Sequence, residues 1–192
     1  MKTEQYKDNV LELFSAAHDV EGDVIEVGIF SGDTSEILLE EITRLSLQKQ
    51  YFGLDTFKGY VEEDLIGANQ ASKENQKYHR WTVSKEEVED RLSNYKDISN
   101  LYEGDSKEII PNLIKNNTIK KLSFIYVDCN LYPPSLKAME DLYPLLSEGG
   151  VMAIDEHLIG GETQAIKEFS EKNNIYLHYF SNTPGPSYYL IK

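Results

Sequence analysis

Apolar residues along this chain alternate between short continuous blocks and positions at helical spacing. The blocks are rich in β-branched and aromatic residues, which is typical of buried strands. They predict seven strands: Val24–Ile29, Tyr51–Leu54, Ile98–Tyr102, Leu122–Val127, Val151–Ile154, Ile175–Phe180 and Ser187–Ile191. The segments between the first five blocks carry apolar residues every three or four positions, which predicts helices. Strand–helix units in series favour an α/β fold with a mostly parallel sheet. The last two strands are expected to form an antiparallel hairpin on that sheet.

Local signals predict several element boundaries. Two residue pairs have the spacing of a capping box, Asp33 with Glu36 and Ser84 with Glu87. Pro111 is expected in the first turn of a short helix within Ile109–Ile114, since proline has no N–H to donate inside a helix. Gly149–Gly150 predicts a turn before the fifth strand.

The chain has 192 residues, which predicts one domain over 1–192. The stretch from about 58 to 83 is long, polar and weakly periodic, and a loop of this length in a compact domain is usually a lid or a disordered segment. His79 and Trp81, the only tryptophan, stand close together near its end. We expect a lid over a functional site.

The composition excludes several classes of partner. Lys and Arg total 19 against 33 Asp and Glu, so the net charge is −14. That balance argues against a surface for nucleic acid or anionic lipid. Cys129 is the only cysteine, so an intrachain disulfide is excluded, and the chain has no apolar run long enough to span a bilayer. A soluble cytoplasmic protein without a membrane or nucleic-acid partner is expected.

Acidic residues fall at the ends of the predicted strands: Glu26, Asp55, Asp105, Asp128 and Asp155. Carboxylates crowded at one edge of a sheet repel one another, and a cationic ligand or a metal ion would relieve that repulsion. The first strand ends in a turn from Gly28 to Gly32, which matches neither a dinucleotide fingerprint nor a P-loop. Asp55 after the second strand suits an acceptor for ribose hydroxyls. S-adenosylmethionine, a nucleoside with a cationic sulfonium, fits such an edge.

Five segments together resemble the macrocin O-methyltransferase (TylF/MycF-type) family: Glu26-Val-Gly-Ile-Phe-Ser-Gly32, Gly53-Leu-Asp-Thr-Phe-Lys-Gly59, Asp128-Cys-Asn-Leu-Tyr132, Leu142-Tyr-Pro-Leu-Leu-Ser-Glu-Gly-Gly150 and Asp155-Glu156. The resemblance runs from about Gly22 to Phe169. It implies a Rossmann-like class I methyltransferase fold, with S-adenosylmethionine as methyl donor. It also implies a sugar hydroxyl of a natural product or polysaccharide precursor as acceptor, and a divalent metal, usually Mg²⁺, that holds the acceptor oxygens.

The resemblance also implies site residues. The expected donor-binding residues are Glu26, Gly28 and Gly32 for the methionine portion, Asp55 with Thr56 for the ribose, and Asp105 with Ser106 near the adenine. The expected metal ligands are Asp128, Asp155 and Glu156. Asp128 and His79 are the candidates for the residue that takes the acceptor proton.

Two positions depart from the family pattern. Glu156 stands where the family usually has a second adjacent aspartate, and Asn130 also replaces an aspartate. These departures keep open a methyltransferase-fold protein that binds without catalysis. A catechol-type small-molecule O-methyltransferase also stays open, since it uses the same donor and a similar metal cluster. The sequence also leaves a homodimer open.

Overall fold

The structure is a computed structural model that describes residues 3–66, 68, 73, 77, 82–155, 161–180 and 184–192. Within these ranges the strands are β1 (Asp23–Val27), β2 (Tyr51–Asp55), β3 (Ser99–Glu103), β4 (Leu122–Val127), β5 (Leu146–Ile154), β6 (His178–Tyr179) and β7 (Tyr188–Ile191). The α-helices are α1 (Glu4–Ser15), α2 (Asp33–Arg44), α3 (Lys85–Arg91), α4 (Ser106–Lys115), α5 (Tyr132–Leu142) and α6 (Gly161–Asn173).

All seven strands form one sheet in the order β3-β2-β1-β4-β5-β7-β6. Strands β1 to β5 are parallel, whereas β7 runs antiparallel to both β5 and β6. The predicted mostly parallel sheet with a C-terminal hairpin is confirmed. The strand order reverses between β1 and β4, and a crevice opens at such a point beyond the carboxyl ends of the strands.

Helices cover both faces of the sheet. In β4, Phe124 and Tyr126 face the cluster formed with α1, α2 and α3, whereas Ile125 and Val127 face the cluster formed with α4, α5 and α6. A strand covered on both faces needs apolar residues at nearly every position, which explains the continuous apolar blocks of the sequence. Complete burial of such a side chain contributes about 1.5–3 kcal/mol. No helix in the described ranges is both long enough and apolar enough to cross a membrane.

Two predicted boundaries are wrong. Helix α4 begins at Ser106, capped by the Asp105 side chain, so Pro111 lies inside the helix and cannot donate the helical hydrogen bond to the carbonyl of Lys107. Gly149–Gly150 lies within β5, which begins at Leu146. The β4–β5 register is irregular there, and Gly149 has a φ of +79°. The glycines therefore lie in an irregularity of β5, where pairing with β4 passes from Leu146 directly to Val151, while the Gly149 amide donates to the Lys192 carbonyl at 2.8 Å.

Candidate active site

A cleft lies at the carboxyl edge of the sheet, among the loops that follow β1 to β5. Seven of the predicted site residues line it: Gly28, Asp55, Thr56, Asp105, Ser106, Asp128 and Asp155. They come from five different loops. Parallel strands bring these loops together because their carboxyl ends meet at the same edge.

The turn after β1 brings two loops into backbone contact. The amide of Gly28 donates to the Leu54 carbonyl at 2.8 Å, and the amide of Asp128 donates to the Val27 carbonyl at 2.8 Å. A Cβ atom on Gly28 would lie 2.0 Å from the Asp128 carbonyl oxygen, and the φ of Gly28 is +91°. Both the space and the backbone conformation therefore require glycine at this position.

Asp55 connects the turn after β1 with the turn after β2. Its Oδ2 accepts the amide of Phe30 at 2.8 Å, and its Oδ1 accepts the amide of Phe57 at 2.7 Å. Both phenylalanines have a left-handed backbone, with φ of +45° and +56°. Burial raises the pKa of Asp55 above its ordinary value, although the two amide hydrogen bonds oppose that rise. The carboxylate thus holds two unfavourable turns in the wall of the cleft.

The loops after β2 and β3 form the next part of the wall. Thr56 Oγ1 donates to the Gly59 carbonyl and accepts the amide of Lys58 at 3.2 Å. Asp105 caps α4 by accepting the amide of Lys107 at 2.9 Å. Ser106 is the first residue of that helix and also lines the cleft.

Asp128 and Asp155 follow the adjacent strands β4 and β5, and the amide of Asp155 donates to the Val127 carbonyl at 3.1 Å. Oδ1 of Asp155 accepts two tyrosine hydroxyls, from Tyr6 and Tyr126, each at 2.5 Å. Burial and the charge of Asp155 raise the pKa of both tyrosines. Both hydroxyls therefore stay protonated and donate to the carboxylate.

Sequence reasoning missed Tyr6, which lies in α1 and is separated from Asp155 by 149 positions. Its hydroxyl also lies 3.0 Å from Thr34 Oγ1, and its side chain is 4% exposed. The spacing of Tyr6, Val10 and Leu13 marks it as part of the buried face of α1. That spacing predicts burial, but it does not predict which carboxylate the hydroxyl reaches.

Two predicted donor residues do not line the cleft. Glu26 is buried under α2, where its Oε2 accepts the hydroxyls of Tyr51 at 2.5 Å and Ser35 at 2.9 Å. Alternation along β1 causes this, since Glu26 faces α2 while the cleft opens beyond the strand end. Gly32 is the residue before α2, in a left-handed conformation, and a Cβ there would lie 3.2 Å from a methyl group of Val88.

Arg91 of α3 holds the glycine turn from outside the cleft. Its guanidinium donates to the Ser31 carbonyl at 3.0 Å, to Asp33 at 2.7 Å and to Glu36 at 2.7 Å. The capping box predicted for Asp33 and Glu36 is therefore wrong, because both carboxylates bind this arginine. The box predicted at the start of α3 is confirmed.

The described ends of the predicted insertion lie close together. Lys58 and Thr82 form an antiparallel bridge, and Tyr60, Val61 and Asp64 line the cleft. Asp64 also accepts the ammonium group of Lys107. His79 and Trp81, as well as the predicted metal ligand Glu156, lie outside the described residues.

The family model described as Macrocin-O-methyltransferase (TylF) covers residues 4–180 of this chain. No curated protein sequence gives a significant match.

Several solved structures are similar to this chain. The O-methyltransferase NovP has a TM-score of 0.85 and 20% identity, over 98% of this chain and 80% of its own. CalS11, a calicheamicin methyltransferase, has a TM-score of 0.69 and 23% identity, over 96% of this chain and 77% of its own. TomG from Streptomyces achromogenes, solved in complex with S-adenosylmethionine, has a TM-score of 0.62 and 15% identity, over 100% of this chain and 81% of its own. At these identities the likeness shows a shared fold.

Proposed function

This chain belongs to the macrocin-O-methyltransferase (TylF) family, and we propose that it transfers the methyl group of S-adenosylmethionine to a hydroxyl of a sugar-containing natural product or polysaccharide precursor. The charge of the cleft is the observation that carries this proposal. Six aspartates line it, and the described lining residues include no lysine or arginine. Arg91 pairs with Asp33, and Lys107 pairs with Asp64 and Asp105, from outside the lining, so Asp55, Asp128 and Asp155 leave an excess of negative charge. Such a wall attracts a cationic sulfonium and disfavours a polyphosphate cofactor.

The donor is proposed to lie along the loops after β1, β2 and β3. Gly28 lets the methionine portion approach the backbone closely, and Asp55 accepts the ribose hydroxyls. Each carboxylate oxygen has about two acceptor sites, so the amide bonds to Asp55 leave capacity for the ribose. Asp105 and Ser106 stand beside the adenine, at the end of the cleft next to α4.

The acceptor is proposed to lie on the side of Asp128. A sugar hydroxyl is a weak nucleophile, so positioning and removal of its proton are what the protein must supply. The acceptor oxygen bonds to the methyl carbon as the methyl–sulfur bond breaks. The hydroxyl proton passes to the Asp128 carboxylate, and neutral S-adenosylhomocysteine leaves. His79 is the competing base.

A divalent metal is proposed as a separate feature. Asp128 and Asp155 fit it, since both line the cleft from adjacent strands and offer the hard oxygen ligands that Mg²⁺ prefers. The two tyrosine hydroxyls on Oδ1 of Asp155 restrict how that residue can bind. The described residues alone contain no group of three potential ligands, and we propose that Glu156, which lies outside them, is the third ligand. When bound, the ion would lower the pKa of the acceptor hydroxyl.

The insertion is proposed to cover this cleft within a single catalytic domain. The support is that its ends are joined by the bridge between Lys58 and Thr82, and that its first described residues line the wall. Trp81 is the only tryptophan, so its fluorescence reports on this segment. A change in emission on binding donor and acceptor together, larger than with donor alone, is expected.

The proposed function is tested by calorimetry with S-adenosylmethionine and by methyl transfer to panels of glycosides and catechols, each with and without EDTA. Donor binding with turnover of glycosides is expected. Turnover of catechols alone would contradict the acceptor class, and donor binding without any turnover would favour a non-catalytic protein. Full activity in excess EDTA would exclude the metal. Asp128→Asn is expected to lower kcat by at least about 100-fold, and His79→Ala by less than about threefold.

A further inference from the structure

Glu162 is a buried carboxylate outside the proposed donor, acceptor and metal sites. It is the second residue of α6, and its side chain is 0% exposed. Its Oε1 accepts the backbone amide of Asn130, in the loop after β4. Burying an ionised carboxylate costs several kcal/mol unless it is compensated. Here the Asn130 amide and the position in the first turn of a helix provide compensation.

The loop that Glu162 contacts is conformationally constrained. Asn130 has a φ of +60°, a left-handed conformation that asparagine adopts more readily than most other non-glycine residues. Asp128, Cys129, Asn130 and Leu131 all line the cleft. A hydrogen bond to the Asn130 amide therefore selects one conformation of the loop that carries the proposed base.

A further observation places Glu162 against this loop. A Cβ on Gly161 would lie 2.1 Å from the backbone nitrogen of Tyr132, so the first residues of α6 and α5 are in backbone contact. The carboxylate thus acts on the loop from a helix end that is itself held in place.

We infer that Glu162 is a positioning residue for the acceptor side of the site: its carboxylate holds the Asn130 amide and so orients Asp128 toward the acceptor hydroxyl. This role rests on the proposed methyl transfer, but the contact itself does not. A hydrogen-bond acceptor at position 162 is what the loop requires, and a negative charge is not.

Glu162→Gln and Glu162→Leu separate these requirements, because glutamine keeps an oxygen that can accept the amide and leucine does not. Thr163→Val is the matched control, an isosteric change at the next buried position, whose Oγ1 has no hydrogen-bond partner within the described part of the chain. Three quantities are measured for each variant: hydrogen exchange of the peptide containing Asn130, the donor Kd, and kcat with the best glycoside acceptor.

The expected result is faster exchange at Asn130 and a kcat at least about tenfold lower in the leucine variant, with donor Kd within about threefold. Glu162→Gln and Thr163→Val should both keep native exchange and a kcat within about threefold of wild type. Unchanged exchange in the leucine variant would overturn the contact, whatever the activity. Changed exchange with unchanged kcat would overturn the positioning role, as would equal loss of kcat in the glutamine variant. A wild-type protein with protected Asn130 but no donor binding would refute the proposed function instead.

Discussion

Replacing Asp55 by asparagine tests the proposed donor site, because the change is isosteric and its effect follows from two hydrogen bonds. The carboxylate accepts the amides of Phe30 at 2.8 Å and Phe57 at 2.7 Å. Asparagine keeps one oxygen, but its NH₂ group then faces one of these two N–H donors. One hydrogen bond is lost, and a left-handed turn in the cleft wall loses its support.

The size of the effect follows from the charge of the acceptor. A hydrogen bond to an ionised group contributes about 1.5–3 kcal/mol. Since about 1.4 kcal/mol changes an equilibrium constant tenfold, the Kd for S-adenosylmethionine should rise by about 10- to 150-fold in Asp55→Asn. Loss of the charged ribose acceptor acts in the same direction.

Isothermal calorimetry measures this change, with Asp23→Asn as the matched control. Oδ1 of Asp23 accepts the amide of Gln50 at 2.8 Å, at the opposite end of β1 and β2. The control loses a similar bond away from the cleft, so its donor Kd should stay within about threefold of wild type. A Kd in Asp55→Asn within that range would refute the reasoning. Equal weakening in both variants would refute it too, since the effect would then be global.

The pH dependence supplies a second readout on Asp55, whose pKa is raised above its ordinary value of 3.8 by burial. The native protein therefore holds this proton more tightly than the unfolded chain. Its contribution to stability is full below 3.8 and is lost as the pH rises through the raised pKa. Donor affinity depends on pH in the opposite direction, because the ribose needs the ionised form of Asp55. The affinity should therefore fall as the pH drops through the raised pKa. Asp55→Asn should lack this part of the binding profile.

Three other changes test other parts of the cleft. Gly28→Ala should lower the free energy of unfolding by at least about 2 kcal/mol and abolish donor binding. Gly149→Ala is the control, because Gly149 shares the positive φ but has room for a Cβ, and this variant should keep donor binding. Equal binding in the two variants would contradict the close approach of the loops. Tyr6→Phe should cost about 1–2 kcal/mol of stability and lower kcat without changing donor Kd, because the Asp155 carboxylate loses one hydrogen-bond donor. Steady-state kinetics measures kcat and calorimetry measures donor Kd, and an unchanged kcat would contradict this prediction. Arg91→Met should raise donor Kd roughly tenfold by releasing the glycine turn, and Arg44→Met, on the exposed face of α2, should not.

The sequence by itself determines the layered α/β architecture of this protein. Strands covered on both faces must be apolar throughout, so blocks such as Leu122–Val127 are visible without any knowledge of their neighbours. The capping box of Ser84 and Glu87 is equally local, because its hydrogen bonds join residues three positions apart. The carboxylates that follow the strands are also predictable, since a residue directly after a parallel strand lies at the carboxyl edge of the sheet.

Only the tertiary structure decides which of these carboxylates line the cleft and which hydrogen-bond partners hold them there. Glu26 is one residue from the end of β1, yet alternation turns it under α2. The hydroxyl of Tyr6 reaches Asp155, and Glu162 reaches the amide of Asn130. Such partners are set by how helices pack on the sheet, and packing energy depends on apolar area rather than on which polar group meets which. Hydrogen bonds between distant residues therefore leave no periodic signal in the chain.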